Sequence, residues 1–179
     1  MTLMNYNKSA FYIGEGYAGE KNNAAHINIL IGSKEGPLGF AFSNALSSPS
    51  QGHVPFLVVA SPGVPVKPYT LFVNKATLQG PQHEKLTWGA AQAGVAKAIL
   101  EWAEQLLQGK DINDPAFDDL VAIVAVWVDP MASDEQKVFE NNYAACRDAI
   151  NRAINNAPNY QQIKQLATTI SNPFFTPKD

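Results

Sequence analysis

The stretch that most constrains this chain is Ala24-Ala25-His26-Ile27-Asn28-Ile29-Leu30-Ile31-Gly32. Its β-branched residues predict a strand, and Gly32 with Ser33 ends it. Strand side chains alternate between faces. Ile27, Ile29 and Ile31 then point into a core, and His26, Asn28 and Leu30 point the other way. A histidine and an amide two residues apart on a strong strand are held rigidly, a good mount for proton transfer. A lone strand histidine is also often a packed, hydrogen-bonded residue. The strand by itself leaves both readings open.

The 179 residues suffice for one domain with a substantial core. With 46% hydrophobic and 16% charged residues, the chain is globular in type. A net charge of -3, with lysines scattered, gives no electrostatic case for nucleic-acid binding. Cys146 is the only cysteine, so no intrachain disulfide forms, and a cytoplasmic setting is the simplest expectation. Met1 to Lys8 is polar and lacks the order of a signal peptide. The longest apolar run, Leu120 to Val128, is far shorter than the ~20 residues of a membrane helix. Repeats, zinc spacings, Walker motifs, GxGxxG and GxSxG are absent from the sequence.

In chain order, Phe11-Tyr12-Ile13 predicts a short first strand, with Gly14, Gly16 and Gly19 in tight turns. The polar segment Glu15 to Asn23 leads straight into the His26 strand and is expected near whatever His26 serves. Pro37 suits the first turn of a helix running to about Leu46, burying Phe40, Ala41 and Ala45. Ser47 to Gly52 is a loop. Pro55 to Ala60 reads as a buried central strand, apolar on both faces. Ser61 to Pro68, with three prolines and a glycine, reads as irregular. Thr70 to Thr77 is a strand with Leu71, Val73, Lys75 and Thr77 on one face. Lys75 on that otherwise apolar face is either a strand-end lysine in solvent or a functional one.

A long helix is predicted over Ala90 to Leu107, with Ala91, Val95, Ala98, Ile99, Trp102 and Leu106 in one buried stripe. Gln92 falls in its first turn, and Gly109 stops it. Asp111 to Asp119 is an acidic loop. Leu120 to Val128 is the most apolar strand. Ser133 to Gln136 has capping-box spacing, and the second long helix runs to about Asn155. Its predicted stripe is Phe139, Tyr143, Cys146, Ile150 and Ile154, which makes Cys146 a core residue rather than a nucleophile. Tyr160 to Thr168 is a short helix, and Asn172-Pro173-Phe174-Phe175 a tail docked by its aromatics. This order predicts a single α/β (α+β) two-layer sandwich over residues 1–179, a mixed sheet with helices packed on it.

With His26, Lys75 and Gln92 in view, the chain resembles the formaldehyde-activating enzymes. Family members carry a segment close to Ala-His-Ile-Asp-Leu-Ile-Ile-Gly, and here Ala25-His26-Ile27-Asn28-Ile29-Leu30-Ile31-Gly32 stands in its place. Their helix segment Thr-Ala-Phe-x-Asn-x-Leu is similar to Phe40-Ala41-Phe42-Ser43-Asn44-Ala45-Leu46. Their Lys-Pro-Asn-Thr before Phe-Asn-Lys-Val-Thr is similar to Lys67-Pro68-Tyr69-Thr70 before Val73-Asn74-Lys75-Ala76-Thr77. Their Phe-Gly-Pro-Ala-Gln looks like Trp88-Gly89-Ala90-Ala91-Gln92. Asp118-Asp119-Leu120, Asn142-Tyr143 and Asn172-Pro173-Phe174 fit too, so the resemblance covers nearly the whole chain in order.

The resemblance implies condensation of formaldehyde with tetrahydromethanopterin, giving the methylene derivative and water, without a metal. It implies a homopentamer with pterin sites between subunits. His26 would be the proton donor, and Leu57, Lys75, Thr77 and Gln92 would contact the pterin. Two places differ from the pattern. Asn28 stands where the family has aspartate, among the pterin contacts, and Asp129-Pro130 stands where it has His-Trp. These differences imply a divergent paralogue. Alternatively, the scaffold serves as a non-catalytic carrier or sensor of a pterin or aldehyde.

Overall fold

Two nine-residue runs rich in β-branched residues form the middle of the sheet in the computed structural model, which describes residues 11–111 and 115–177. They are β2 (Ala25–Ser33) and β7 (Leu120–Val128), paired antiparallel with Ile27 opposite Val126 and His26 opposite Trp127. β1 (Phe11–Ala18) lies antiparallel outside β2. On the other side β6 (Tyr69–Asn74) pairs parallel with β7, and the two-residue β3 (Phe56–Leu57) closes the edge. The order is β1-β2-β7-β6-β3, a mixed sheet. A small hairpin, β4 (Val59–Ser61) with β5 (Val64–Pro65), stands beside it.

One sheet face carries Ile27, Ile29, Ile31, Val124, Val126 and Phe72, all buried against α3 (Gln92–Leu107) and α5 (Glu135–Ile154). That layer is the core, so the chain is a mixed sheet flanked by helices. The opposite face is covered at one end by α1 (Pro37–Ser47), through Leu38 beside Gly32. Elsewhere it is open, and Phe11, Ile13, Leu30, Ile123 and Val73 remain partly or largely exposed there.

Several local expectations are corrected by packing. β1 does not stop at Ile13 for turns at Gly14 and Gly16; both glycines lie inside the strand. A Cβ on Gly14 would sit 1.9 Å from the Ala149 carbonyl oxygen, and one on Gly16 2.0 Å from that of Ala145. The glycines are there so that α5 can lie on the strand backbone. Small residues on the helix complete the fit, so its buried stripe is Val138, Asn142, Ala145, Cys146, Ala149, Ile150 and Ala153. Phe139, Tyr143 and Ile154 are only partly buried. Cys146 is a core residue as expected, its thiol pushed up to about 12 by burial.

The Pro55 to Ala60 run is not a central strand. Val58 N–H donates to Thr70 O at 2.9 Å while Val58 O accepts from Val66 N at 3.0 Å. The run therefore bridges the sheet edge and the hairpin, and only Val58 is fully buried. Part of Ser61 to Pro68 is thus regular. In α1 it is Leu38 that is buried, while Phe40 is 74% exposed and Ala41 is exposed as well. The long helix begins earlier than its stripe implied. α2 (Gly80–Lys85) runs through a π-helical segment, Leu86–Ala91, into α3. Asp134, rather than Ser133, caps α5, accepting from Lys137 N at 3.0 Å. The acidic loop contains α4 (Pro115–Asp119), tied down by Ser33 Oγ donating to Asp119 and by the Lys67–Asp118 pair. Residues 112–114 of that loop lie outside the described residues, as does the polar Met1 to Lys8 stretch. α6 (Tyr160–Leu166) is the expected short helix, fully exposed. Among the described residues no helix is long and apolar enough to cross a membrane.

Candidate active site

Strand alternation places four polar side chains together on the open face. His26 and Asn28 project from β2, Glu15 from the β1 position opposite Asn28, and Tyr17 from the position opposite His26. Lys75 follows the end of β6, where its backbone N–H still bonds Val126 O at 2.8 Å. Its side chain returns over the face. Lys75 Nζ lies 2.7 Å from Asn28 Oδ1 and 3.3 Å from His26 Nδ1. On the other side of the ring, His26 Nε2 lies 3.1 Å from Glu15 Oε1. The result is one chain of contacts, Glu15–His26–Lys75–Asn28.

Partial burial holds the His26 imidazole below its usual range, helped by the neighbouring Lys75 cation and opposed by Glu15. Burial also lowers Lys75, again opposed by Glu15. Both bases therefore hold their protons less tightly than free side chains. His83 makes a contrast. It is buried, with Nε2 donating to Val128 O at 3.0 Å and Nδ1 accepting from Gln79 N at 3.1 Å, a satisfied core histidine.

His26 and Lys75 open onto a cavity of about 620 Å³. Glu15, Tyr17 and Trp127 line its floor, and Ser171 to Phe174 of the tail line its side. Phe174 meets Trp127 edge to face, centroids 6.2 Å apart. The expected docking by the tail aromatics is reduced to this one edge contact, since Phe174 and Phe175 are both largely exposed. A cavity of this size with aromatic walls and a few convergent polar groups suits a small planar molecule.

The other sequence-derived site residues are not gathered here. Leu57 shares the open face, opposite Leu71, but on the edge strand β3. Thr77 Oγ1 contacts His53 Nε2 at 3.2 Å, while His53 Nδ1 meets Asn74 O at 2.9 Å. Gln92 is only 8% exposed and lies in the helix layer, where Oε1 accepts from Val59 N at 2.7 Å. It borders a separate groove of about 370 Å³ with Val59, Lys97 and Glu101. Of the six, the fold brings His26, Asn28 and Lys75 together. The segment from Glu15 was expected near the His26 site, and Glu15 and Tyr17 do line it. Glu15 as the direct partner of His26 and Trp127 as a wall were missed, and continuing the β1 alternation through its glycines would have put Glu15 on the His26 face.

The family model for formaldehyde-activating enzyme (Fae) matches residues 13–175. The chain is similar to a bifunctional enzyme Fae/Hps of Methanocella arvoryzae, 39% identical over 153 residues, 86% of this chain and 38% of the relative. A bifunctional enzyme Fae/Hps of Methanosphaera stadtmanae is 38% identical over 153 residues, 86% of this chain and 37% of the relative. One from Methanosarcina acetivorans is 37% identical over 153 residues, 86% of this chain and 38% of the relative. The chain therefore spans less than two fifths of the length of these relatives.

Proposed function

Because the chain belongs to the formaldehyde-activating enzyme family, we propose that it condenses formaldehyde with a reduced pterin, tetrahydromethanopterin, in one-carbon metabolism. The observation that carries this reading is the Glu15–His26–Lys75–Asn28 cluster, set at the edge of a 620 Å³ aromatic-walled cavity. The reaction needs little else. A pterin ring amine adds to formaldehyde readily, giving a carbinolamine. Expelling the hydroxyl is the harder step, and an acid that protonates the departing oxygen turns it into water. The second amine then closes the ring. His26 is that acid, and Lys75 beside it at 3.3 Å orients polar atoms of the pterin. Trp127, Tyr17 and Phe174 shape the apolar walls. Holding both nitrogens near one carbon adds a proximity effect.

Leu57, Thr77 and Gln92 serve the pterin from positions away from the His26 cavity. That separation supports a site completed by a second copy of the chain, in a homo-oligomer of the pentameric type. The open sheet face, with exposed Phe11 and Ile13, supports the same reading.

The neutral Asn28 favours a second reading, a non-catalytic pterin- or aldehyde-binding protein on the same scaffold. One assay separates the two. Purified protein is expected to consume formaldehyde with tetrahydromethanopterin faster than buffer does. His26→Ala is expected to lose most of that acceleration, on the order of a hundredfold, while circular dichroism stays unchanged. No acceleration by the wild type would leave the binding protein.

A further inference from the structure

We infer that His53 fixes the hydrogen-bonding polarity of Thr77, taking its hydroxyl hydrogen so that Thr77 offers a ligand only lone pairs. This rests on the reading of Thr77 as a pterin contact, and it makes His53 the positioning residue behind that contact.

The assignment follows from which atoms can donate. His53 Nδ1 lies 2.9 Å from Asn74 O. A carbonyl only accepts, so Nδ1 carries the hydrogen of that contact. In the neutral ring Nε2 is then an acceptor, and it faces Thr77 Oγ1 at 3.2 Å. Of that pair only the hydroxyl has a hydrogen to give, so Thr77 donates to Nε2. Its lone pairs remain, and Thr77 is exposed.

The surroundings hold this arrangement in place. His53 sits in a turn closed on Ser50, with His53 N donating to Ser50 O at 3.0 Å and Ser50 N to His53 O at 3.2 Å. Asn74, buried at the end of β6, ties the turn to the sheet. Its Nδ2 donates to Gly52 O at 2.7 Å and to Ala76 O at 2.8 Å. The Thr77 methyl is confined as well. A Cβ on Gly52 would lie 2.7 Å from Thr77 Cγ2, so the methyl rests against bare glycine backbone. With Cγ2 set by Gly52 and Oγ1 by His53, the side chain keeps one rotamer. A ligand group bonded to Thr77 must therefore bring its own N–H or O–H, and the amino-substituted edge of a pterin brings one. A carbonyl or carboxylate at the same place would meet lone pairs.

The test is fluorescence titration of the full chain with tetrahydromethanopterin alone, so that binding is read apart from condensation. His53→Phe keeps a ring but accepts nothing, which frees the Thr77 hydrogen to point at the ligand. It is expected to bind the pterin about tenfold more weakly, with unchanged circular dichroism. His53→Gln brings a side-chain oxygen to the Nε2 position, and is expected to stay within about threefold of wild type. Thr77→Val is expected to lose about as much as His53→Phe, and the double variant little more, because both changes remove one contact. Wild-type affinity in His53→Phe, or additive losses in the double variant, would overturn the assignment and leave the condensation reading standing. Equal losses in His53→Gln and His53→Phe would do the same, since ring packing would then be the cause. A wild type that does not bind tetrahydromethanopterin would overturn both. Imidazole 15N NMR of the wild type is independent of ligand and of any variant's folding. It is expected to show His53 protonated at Nδ1 with Nε2 as an acceptor, and a ring protonated at Nε2 alone would overturn the proposal.

Discussion

Glu15 Oε1 lies 3.1 Å from His26 Nε2, across adjacent strands joined by a continuous register from Phe11 to Ala18. The carboxylate opposes the burial and the Lys75 charge that lower the imidazole. Of the groups facing the ring, Glu15 and Tyr17 come from β1, Lys75 from the end of β6, and Trp127 from β7.

Glu15→Gln therefore lowers the His26 titration further, read as an NMR pH titration of its ring protons. The sign for stability follows from linkage. A histidine lowered by folding binds its proton more readily in the unfolded chain. Its stability contribution is whole above the ordinary value of 6.5 and is lost as pH falls below it toward the folded value. The glutamine variant extends that window to lower pH. Both side chains are partly exposed, so the contact removed is worth about 0.2–1 kcal/mol, and the condensation rate is expected to fall by no more than about fivefold. An unchanged titration would mean that Glu15 does not hold the ring.

Asn28→Asp places a carboxylate against Lys75 Nζ, where the amide oxygen now sits at 2.7 Å. The two side chains are close in size, so melting temperature changes little. The new charge raises both Lys75 and, through the shared cluster, His26. Its second oxygen is free for the amino-substituted edge of a pterin, a charged hydrogen bond worth on the order of 1–3 kcal/mol. The variant is expected to bind tetrahydromethanopterin more tightly and to condense it faster, with its pH profile moved upward. Equal affinity and equal rate would separate Asn28 from ligand recognition.

Where alternation ran unbroken, the sequence was easy to read. Ile27, Ile29 and Ile31 are buried and His26, Asn28 and Leu30 are on the other face, as the pattern required. Lys75 on an apolar face was the clearest anomaly, and it meets His26 across β7. What stayed hidden depended on distant backbone. Gly14 and Gly16 look like turn residues until α5 is laid over them. The Pro55 to Ala60 run looks central until Val58 is seen to bond β6 on one side and Val66, just past the small hairpin, on the other. Gln92 sits at the start of α3, but its oxygen is taken by Val59 N, a partner 33 residues away.

Gly14→Ala tests the closest approach in the fold. The added methyl would meet Ala149 O at 1.9 Å and Ala153 N at 2.9 Å, both backbone atoms that cannot rotate aside. β1 or α5 must shift, at a cost of roughly 3 kcal/mol. For a chain of this size the midpoint falls by about 6–12 °C, measured by thermal melting. Ala at the solvent-facing Gly63, where nothing lies within 4 Å but φ is +77°, is the control for backbone strain alone. A Gly14 variant no less stable than that control would show that α5 does not rest on β1 as described.

The last prediction concerns the open face. Ile13 lies opposite Leu30 on β1, two positions from Glu15, and is 59% exposed. Phe11 is exposed beside it, and Leu30, Ile123 and Val73 continue the apolar surface inward. A contiguous apolar patch of this kind marks a contact surface. The same face carries the His26 cavity, while Thr77 and Gln92 lie away from it. A neighbouring copy laid against this face would bring a second set of these residues toward the first. Wild-type protein is expected to scatter light as a closed oligomer, well above the 19.4 kDa of one chain. Ile13→Glu adds a charge to the patch without touching the core, and is expected to release monomer that keeps its circular dichroism but loses pterin affinity. A monomeric wild type would remove the shared-site reading. An Ile13→Glu monomer that binds the pterin as tightly as wild type would place every ligand contact within one chain.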